Sequence, residues 1–151
     1  MTNSDILRRL RYVFDFGDDT MIQLFGLGGA EVTRAQVSDW LKKEEDAAFE
    51  PCSDRELGMF LNGFIVKRRG KRDGPSREPE KHLSNNLILV KLKIALSFAA
   101  DDMMEIMKST GYNLSKHELS AFFRKPGHKH YRKCLDQMLR NFLNGLQLKY
   151  R

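Results

Sequence analysis

Only two cysteines occur in the 151 residues. That is too few for a disulfide framework, so a reducing compartment is expected. No stretch approaches the ~20 apolar residues that a membrane-spanning helix needs, and the opening segment MTNSDILRRL holds no apolar signal core. A glycine-rich phosphate loop, a CxxC set and a nucleophile elbow are all missing. Sustained alternation of apolar and polar residues is missing too, which argues against strands. These absences exclude a secreted scaffold and a membrane-spanning chain, and they point away from an enzyme or a cofactor. The expectation is a cytoplasmic protein with no membrane partner. Disorder is excluded by what is present: 41% hydrophobic residues with 10% aromatics supply a core, and the length fits one domain or two small ones.

The sequence repeats itself. Shifted by 82 positions, residues 3–64 align with 85–146 without a gap, about a quarter of them identical. Ile6, Leu7 and Leu10 fall on Ile88, Leu89 and Leu92, and Cys52 falls on Cys134. Phe60-Leu61-Asn62-Gly63 falls on Phe142-Leu143-Asn144-Gly145. Two copies are too few for a solenoid, so a pseudo-twofold pair is expected. Its parts are a first repeat over residues 1–66, a linker over 67–84 and a second repeat over 85–151. The segment 67–81 has two prolines, two glycines and almost no apolar residue, the composition of a solvated linker.

Each copy reads as about four helices, and the class as all-α. Ile6, Leu7, Leu10, Val13 and Phe14 keep the spacing of one apolar helix face, as do Ile88, Leu89, Leu92, Ala95 and Leu96. Asp18-Asp19 and Asp101-Asp102 are expected to cap and compensate a second helix, which ends at Gly28-Gly29 in the first copy. Thr33 and Ser115 are good N-caps for a third helix, and Ser53 or Asp54 for a fourth. Glycine at equivalent places in the fourth helices, Gly63 and Gly145, is expected to let two helices approach closely. Met103, Met104 and Met107 read as a core stripe.

Charge is divided unevenly between the copies. Residues 1–66 carry a net −5, residues 67–84 a net +4, and residues 85–151 a net +7. Divergence of this kind concerns partners rather than fold. Beside a solvated surface with no partner, two readings follow from it. The linker and second repeat form a site for a polyanion, DNA or RNA; or the acidic repeat pairs with a basic surface, in a protein complex or a homo-oligomer.

The second and third helices of each copy resemble a helix-turn-helix, with Thr33, Arg34, Gln36 and Ser38, or Ser115, Lys116, His117 and Ser120, free to meet a groove. The spacing between them is longer than the compact motif uses, and the core packing of any three-helix unit with a glycine turn looks similar. The most distinctive run is Phe123-Arg124-Lys125-Pro126-Gly127-His128-Lys129-His130-Tyr131-Arg132-Lys133, where the first copy has Leu41-Lys42-Lys43-Glu44-Glu45-Asp46-Ala47-Ala48-Phe49-Glu50-Pro51, acidic on balance. Basic donors around one aromatic ring suit phosphate contacts; alternatively Tyr131 faces inward as Phe49 would. The candidate nucleic-acid-binding residues are therefore Arg124, Lys125, His128, Lys129, His130, Arg132, Lys133 and Lys116. Lys67, Arg68, Arg69, Lys71 and Arg72 are auxiliary clamps. His128 and His130 lack the further ligands a zinc site needs, so no metal is expected; the pair gains charge on acidification and would then hold an anion more strongly. Cys52 and Cys134 read as small core residues just before the fourth helices.

The duplicated frame, Trp40-Leu41-Lys42-Lys43-Glu44 with Pro51-Cys52-Ser53-Asp54, and the run 123–129 with Leu139-Arg140-Asn141-Phe142-Leu143 resemble the YehS family of bacterial proteins. The resemblance covers essentially the whole chain. It implies a bacterial cytoplasmic protein of two related domains, and it carries over no catalytic or binding residue.

Overall fold

The computed structural model describes residues 1–71 and 78–151; among them there are eight helices and no strand. The class is all-α, as expected. Two compact units form, Met1–Leu83 and Ser84–Arg151. The first holds α1 (Asn3–Phe14), α2 (Asp18–Leu27), α3 (Arg34–Leu41) and α4 (Asp54–Arg69). The second holds α5 (Asn85–Ala95), α6 (Ala100–Lys108), α7 (Lys116–Ala121) and α8 (Asp136–Tyr150). No described helix is long and apolar enough to cross a membrane.

Helix starts follow capping chemistry. Thr2 with Asp5, Thr33 with Gln36, Ser53 with Glu56 and Ser115 with Glu118 form reciprocal capping boxes. The expected capping by Asp18-Asp19 is corrected: Gly17 takes the N-cap of α2, and the two carboxylates ion-pair instead with Arg11 and Arg34. In the second unit Asp102 stands three places into the helix, where it can reach back and accept the Ala99 N–H at 2.8 Å. The duplication extends to the backbone. Asp15 (φ 55°) and Ser97 (φ 56°), 82 positions apart, both turn left-handed, as do Gly29 (φ 95°) and Gly111 (φ 92°). Asn3 donates to the Cys52 carbonyl and Asp54 at 3.0 and 2.7 Å, and Asn85 does the same to Cys134 and Asp136 at 3.0 and 2.8 Å.

In the first core Phe25 stacks obliquely on Trp40 and Phe60, with ring centres 5.3 and 5.1 Å away. Leu7, Leu10, Leu24 and Leu57 fill the remainder without exposure. The second core is built from Leu92, Met103, Leu119, Phe122, Leu139, Phe142 and Leu146, with Met107 buried and Met104 only half-buried. Helix α2 crosses α4 at Gly28 and Gly63. A methyl group on Gly63 would lie 1.7 Å from the Leu24 carbonyl oxygen, and one on Gly28 would lie 1.7 Å from that of Met59. Close approach is what these glycines allow. At the place of Gly28 the second unit carries Thr110, whose hydroxyl donates to the carbonyls of Met107 and Asn141 at 3.0 and 3.4 Å.

Helix α4 runs to Arg69, three residues into the expected linker. Its last turn holds Lys67, Arg68 and Arg69, cations that favour the negative end of the helix dipole, and Gly70 (φ 80°) stops it. The chain then returns to the first unit, where the Leu83 N–H donates to Asp54 at 2.9 Å.

Candidate functional site

The basic run begins where α7 ends. That end is Ala121, and the Phe122 carbonyl just beyond it accepts a hydrogen bond from a side chain of α5. That side chain is Asn86, buried in the core. Its amide donates to Phe122 and Arg132 carbonyls at 3.0 and 2.8 Å, and its oxygen accepts the Cys134 N–H at 2.8 Å. One residue thus clamps both ends of the turn. Inside it, His128 N–H donates to Lys125, Tyr131 N–H to His128 and Arg132 N–H to Ala121, at 2.9, 3.0 and 3.0 Å.

The first unit makes the same turn with opposite charge. Asp46 N–H donates to Lys43, Phe49 N–H to Asp46 and Glu50 N–H to Asp39, at 3.0, 3.1 and 3.2 Å, each 82 positions before its counterpart. Even the small side-chain bond is repeated. Asp46 accepts the Ala48 N–H at 2.9 Å, and His128 Nδ1 accepts the His130 N–H at 3.0 Å. What differs is the clamp: Arg8 of α1, not the residue equivalent to Asn86, donates to the Leu41 and Lys42 carbonyls at 3.3 and 2.7 Å.

The structure exposes Lys116, Lys125, His128, Lys129, His130, Arg132 and Lys133 around this turn. Arg132 lies over the Phe122 ring, 5.2 Å from its centre. Arg124 is half-buried, and its Nε is buried with no partner among the described residues. Tyr131 is half-buried at the place of Phe49, which is half-buried too. The auxiliary residues belong to the first unit: Lys67, Arg68, Arg69 and Lys71 are exposed, with Lys67 donating to Gln23 at 3.2 Å. Arg72 lies outside the described residues.

Two groups of side chains are not as the sequence suggested. Thr33 and Gln36 are occupied in capping one another, and Arg34 pairs with Asp18 and Asp19, so the polar start of α3 is not free. Ser115 caps and the Ser120 hydroxyl donates to the His117 carbonyl at 2.8 Å; Lys116 and His117 alone of that set are open. Helix α7 spans six residues. His117, read from the sequence as a groove contact, stands beside the turn, a nearness that sequence distance hid. Its ring centre is 6.3 Å from that of His130, which is 5.5 Å from that of His128. Among the described residues no group of His, Cys, Asp and Glu is placed to hold a metal ion.

Hydrogen bonds from the Ser115 backbone and hydroxyl hold the Glu118 carboxyl below its usual range, helped by the charges of Arg132 and His117. Burial pushes the Cys52 thiol up to about 12, with Glu56 and Asp54 adding to it. Burial pushes Cys134 up to about 11, with Asp136 adding and Arg132 opposing. A thiol so placed is almost wholly protonated at neutral pH and a poor nucleophile. Native protein is expected to leave both thiols unlabelled by an aromatic disulfide reagent, and urea-unfolded protein to expose both. Rapid labelling of either in the native state would contradict the burial.

The DUF1456 family, described as "Protein of unknown function", matches residues 3–70 and again 85–151. The chain is 41% identical over 147 residues to the uncharacterized protein YehS of Escherichia coli strain K12, covering 97% of this chain and 94% of that protein. No solved structure matches.

Proposed function

The chain belongs to the DUF1456 family, and from its surface we propose a non-enzymatic nucleic-acid-binding module of the bacterial cytoplasm, contacting mainly phosphates. One observation supports this above the others. The same turn is built twice on the same backbone bonds; both copies open on two cations, Lys42-Lys43 and Arg124-Lys125, but the first goes on to Glu44, Glu45, Asp46 and Glu50 and the second to Lys129, Arg132 and Lys133. Fold does not require the charge of Lys129, Arg132 and Lys133, since the first copy folds with Ala47, Glu50 and Pro51 at those places. Phosphate contacts dominate the affinity of such surfaces and need no base reading. A recognition helix is not part of the proposal, because α7 is short and the start of α3 is engaged in capping and ion pairs.

Binding is tested by fluorescence anisotropy with labelled random duplex and single-stranded oligonucleotides at about 50 and 200 mM salt. Replacing Arg124, Lys125 and Lys129 together by Gln is expected to weaken binding about tenfold or more at the lower salt and to flatten the salt slope by about 2–3. Unchanged affinity overturns the site. Absence of binding by the wild-type protein at the lower salt overturns the nucleic-acid reading. Salt-sensitive self-association in sedimentation would then assign the charge asymmetry to pairing between copies of the chain.

A further inference from the structure

We infer that the basic turn is a proton-linked phosphate site, in which His117, His128 and His130 take up protons as they take up a phosphate group. The inference rests on the reading that this turn contacts phosphate, and adds a dependence on pH that lysine and arginine cannot give.

The geometry carries it. Three exposed imidazoles from two segments come together, with ring centres 5.5 and 6.3 Å apart along the series His128, His130, His117. The first unit has Ala35, Asp46 and Ala48 at these places, so the fold needs none of the rings. What the turn needs at residue 128 is an acceptor, and Asp46 supplies one in the first unit. His128 accepts through Nδ1, which only the neutral ring can do with its proton on Nε2. Protonation puts a hydrogen on Nδ1, facing the His130 N–H, and the turn loses that bond while the cluster gains a donor. Histidine is the side chain whose charge changes between about pH 5 and 8.

The surroundings are rich in charge. Lys116, Lys125, Lys129, Arg132 and Lys133 are exposed within three residues of one or another of the three rings. From α5, Lys93 lies 5.7 Å from the Phe123 ring centre. Glu118 of α7 is the near carboxylate, interacting with His117 and Arg132; Asp136 at the start of α8 is farther along the chain and held by Asn85. Cations outnumber carboxylates here. A phosphate supplies the missing negative charge and accepts from the imidazolium N–H groups. Proton uptake and phosphate binding therefore favour each other by linkage.

The test repeats the anisotropy titration at fixed salt at about pH 8 and about pH 6, where histidine charge differs most. Wild-type affinity is expected to rise about tenfold or more on acidification, beyond what a lysine-arginine surface shows. In the variant His117→Gln, His128→Asn, His130→Gln, where Asn keeps an acceptor at the turn, the ratio of the two affinities is expected to fall to about twofold or less. A wild-type ratio near one overturns the inference and leaves the nucleic-acid reading standing. A ratio preserved in the variant overturns the residue assignment. If no oligonucleotide binds at either pH, the nucleic-acid reading has failed, and inorganic phosphate followed by imidazole C–H resonances decides the inference separately. Shifts of all three rings at the lower pH that vanish at the higher one support a phosphate site for a smaller ligand; no shift at either pH overturns it.

Discussion

Gly63→Ala is expected to destabilise the first unit by about 3 kcal/mol or more, seen as a lower urea midpoint. The sign is what makes the result informative. In an exposed helix interior the same change stabilises by up to about 1 kcal/mol, because alanine is the better helix former. Here the added methyl would lie 1.7 Å from the Leu24 carbonyl oxygen and 2.7 Å from its carbon. Backbone cannot rotate aside as a side chain can, so α2 and α4 must separate and the Phe25–Phe60 contact between them must loosen. Gly145→Ala meets Ile106 at 2.6 Å, partly through a side-chain methyl, and a smaller loss is expected there. An unchanged or raised midpoint for Gly63→Ala would mean that the helices do not cross so closely.

Asn86→Ala is expected to cost about 3 kcal/mol and to release the basic turn. The variant leaves the Phe122 and Arg132 carbonyls and the Cys134 N–H without their side-chain partner, and an unsatisfied buried polar group costs about 1–3 kcal/mol. Hydrogen exchange should distinguish this from general loss of stability. The His128, Tyr131 and Arg132 amides, bonded within the turn, should lose more protection than those of α6. Ser4, at the equivalent place in the first unit, has a buried hydroxyl with no partner among the described residues, so Ser4→Ala is expected to change stability by less than about 1 kcal/mol. Equal losses at the two positions would remove the special role given to Asn86.

These two residues mark the limits of what the sequence discloses. The glycine was visible because it recurs at the offset of 82 within helical spacing, and close packing is the ordinary reason for glycine inside a helix. Helix periodicity, caps and duplication were visible for the same reason: each is a local pattern or a self-comparison. Asn86 was not visible, because its partners are backbone carbonyls and an N–H, which have no letter in the sequence. Self-comparison even misleads here, since Arg8 clamps the first turn from a different position. His117 was hidden differently. It is eleven residues from His128, and only the return of the chain after α7 brings the rings together. The polar start of α3 looked free because a capping box and an ion pair cannot be told from exposed side chains until the helix start is fixed.

The matched turns have a consequence for how such a protein changes over generations. Their shape is specified by main-chain bonds, by clamps on α1 and α5, and by one side-chain acceptor within each turn, Asp46 or His128. The side chains on display are therefore almost uncoupled from foldability. One copy carries a net negative turn and the other a net positive one on the same frame. Duplication gave the chain a spare surface, and the clamps made that surface safe to rewrite.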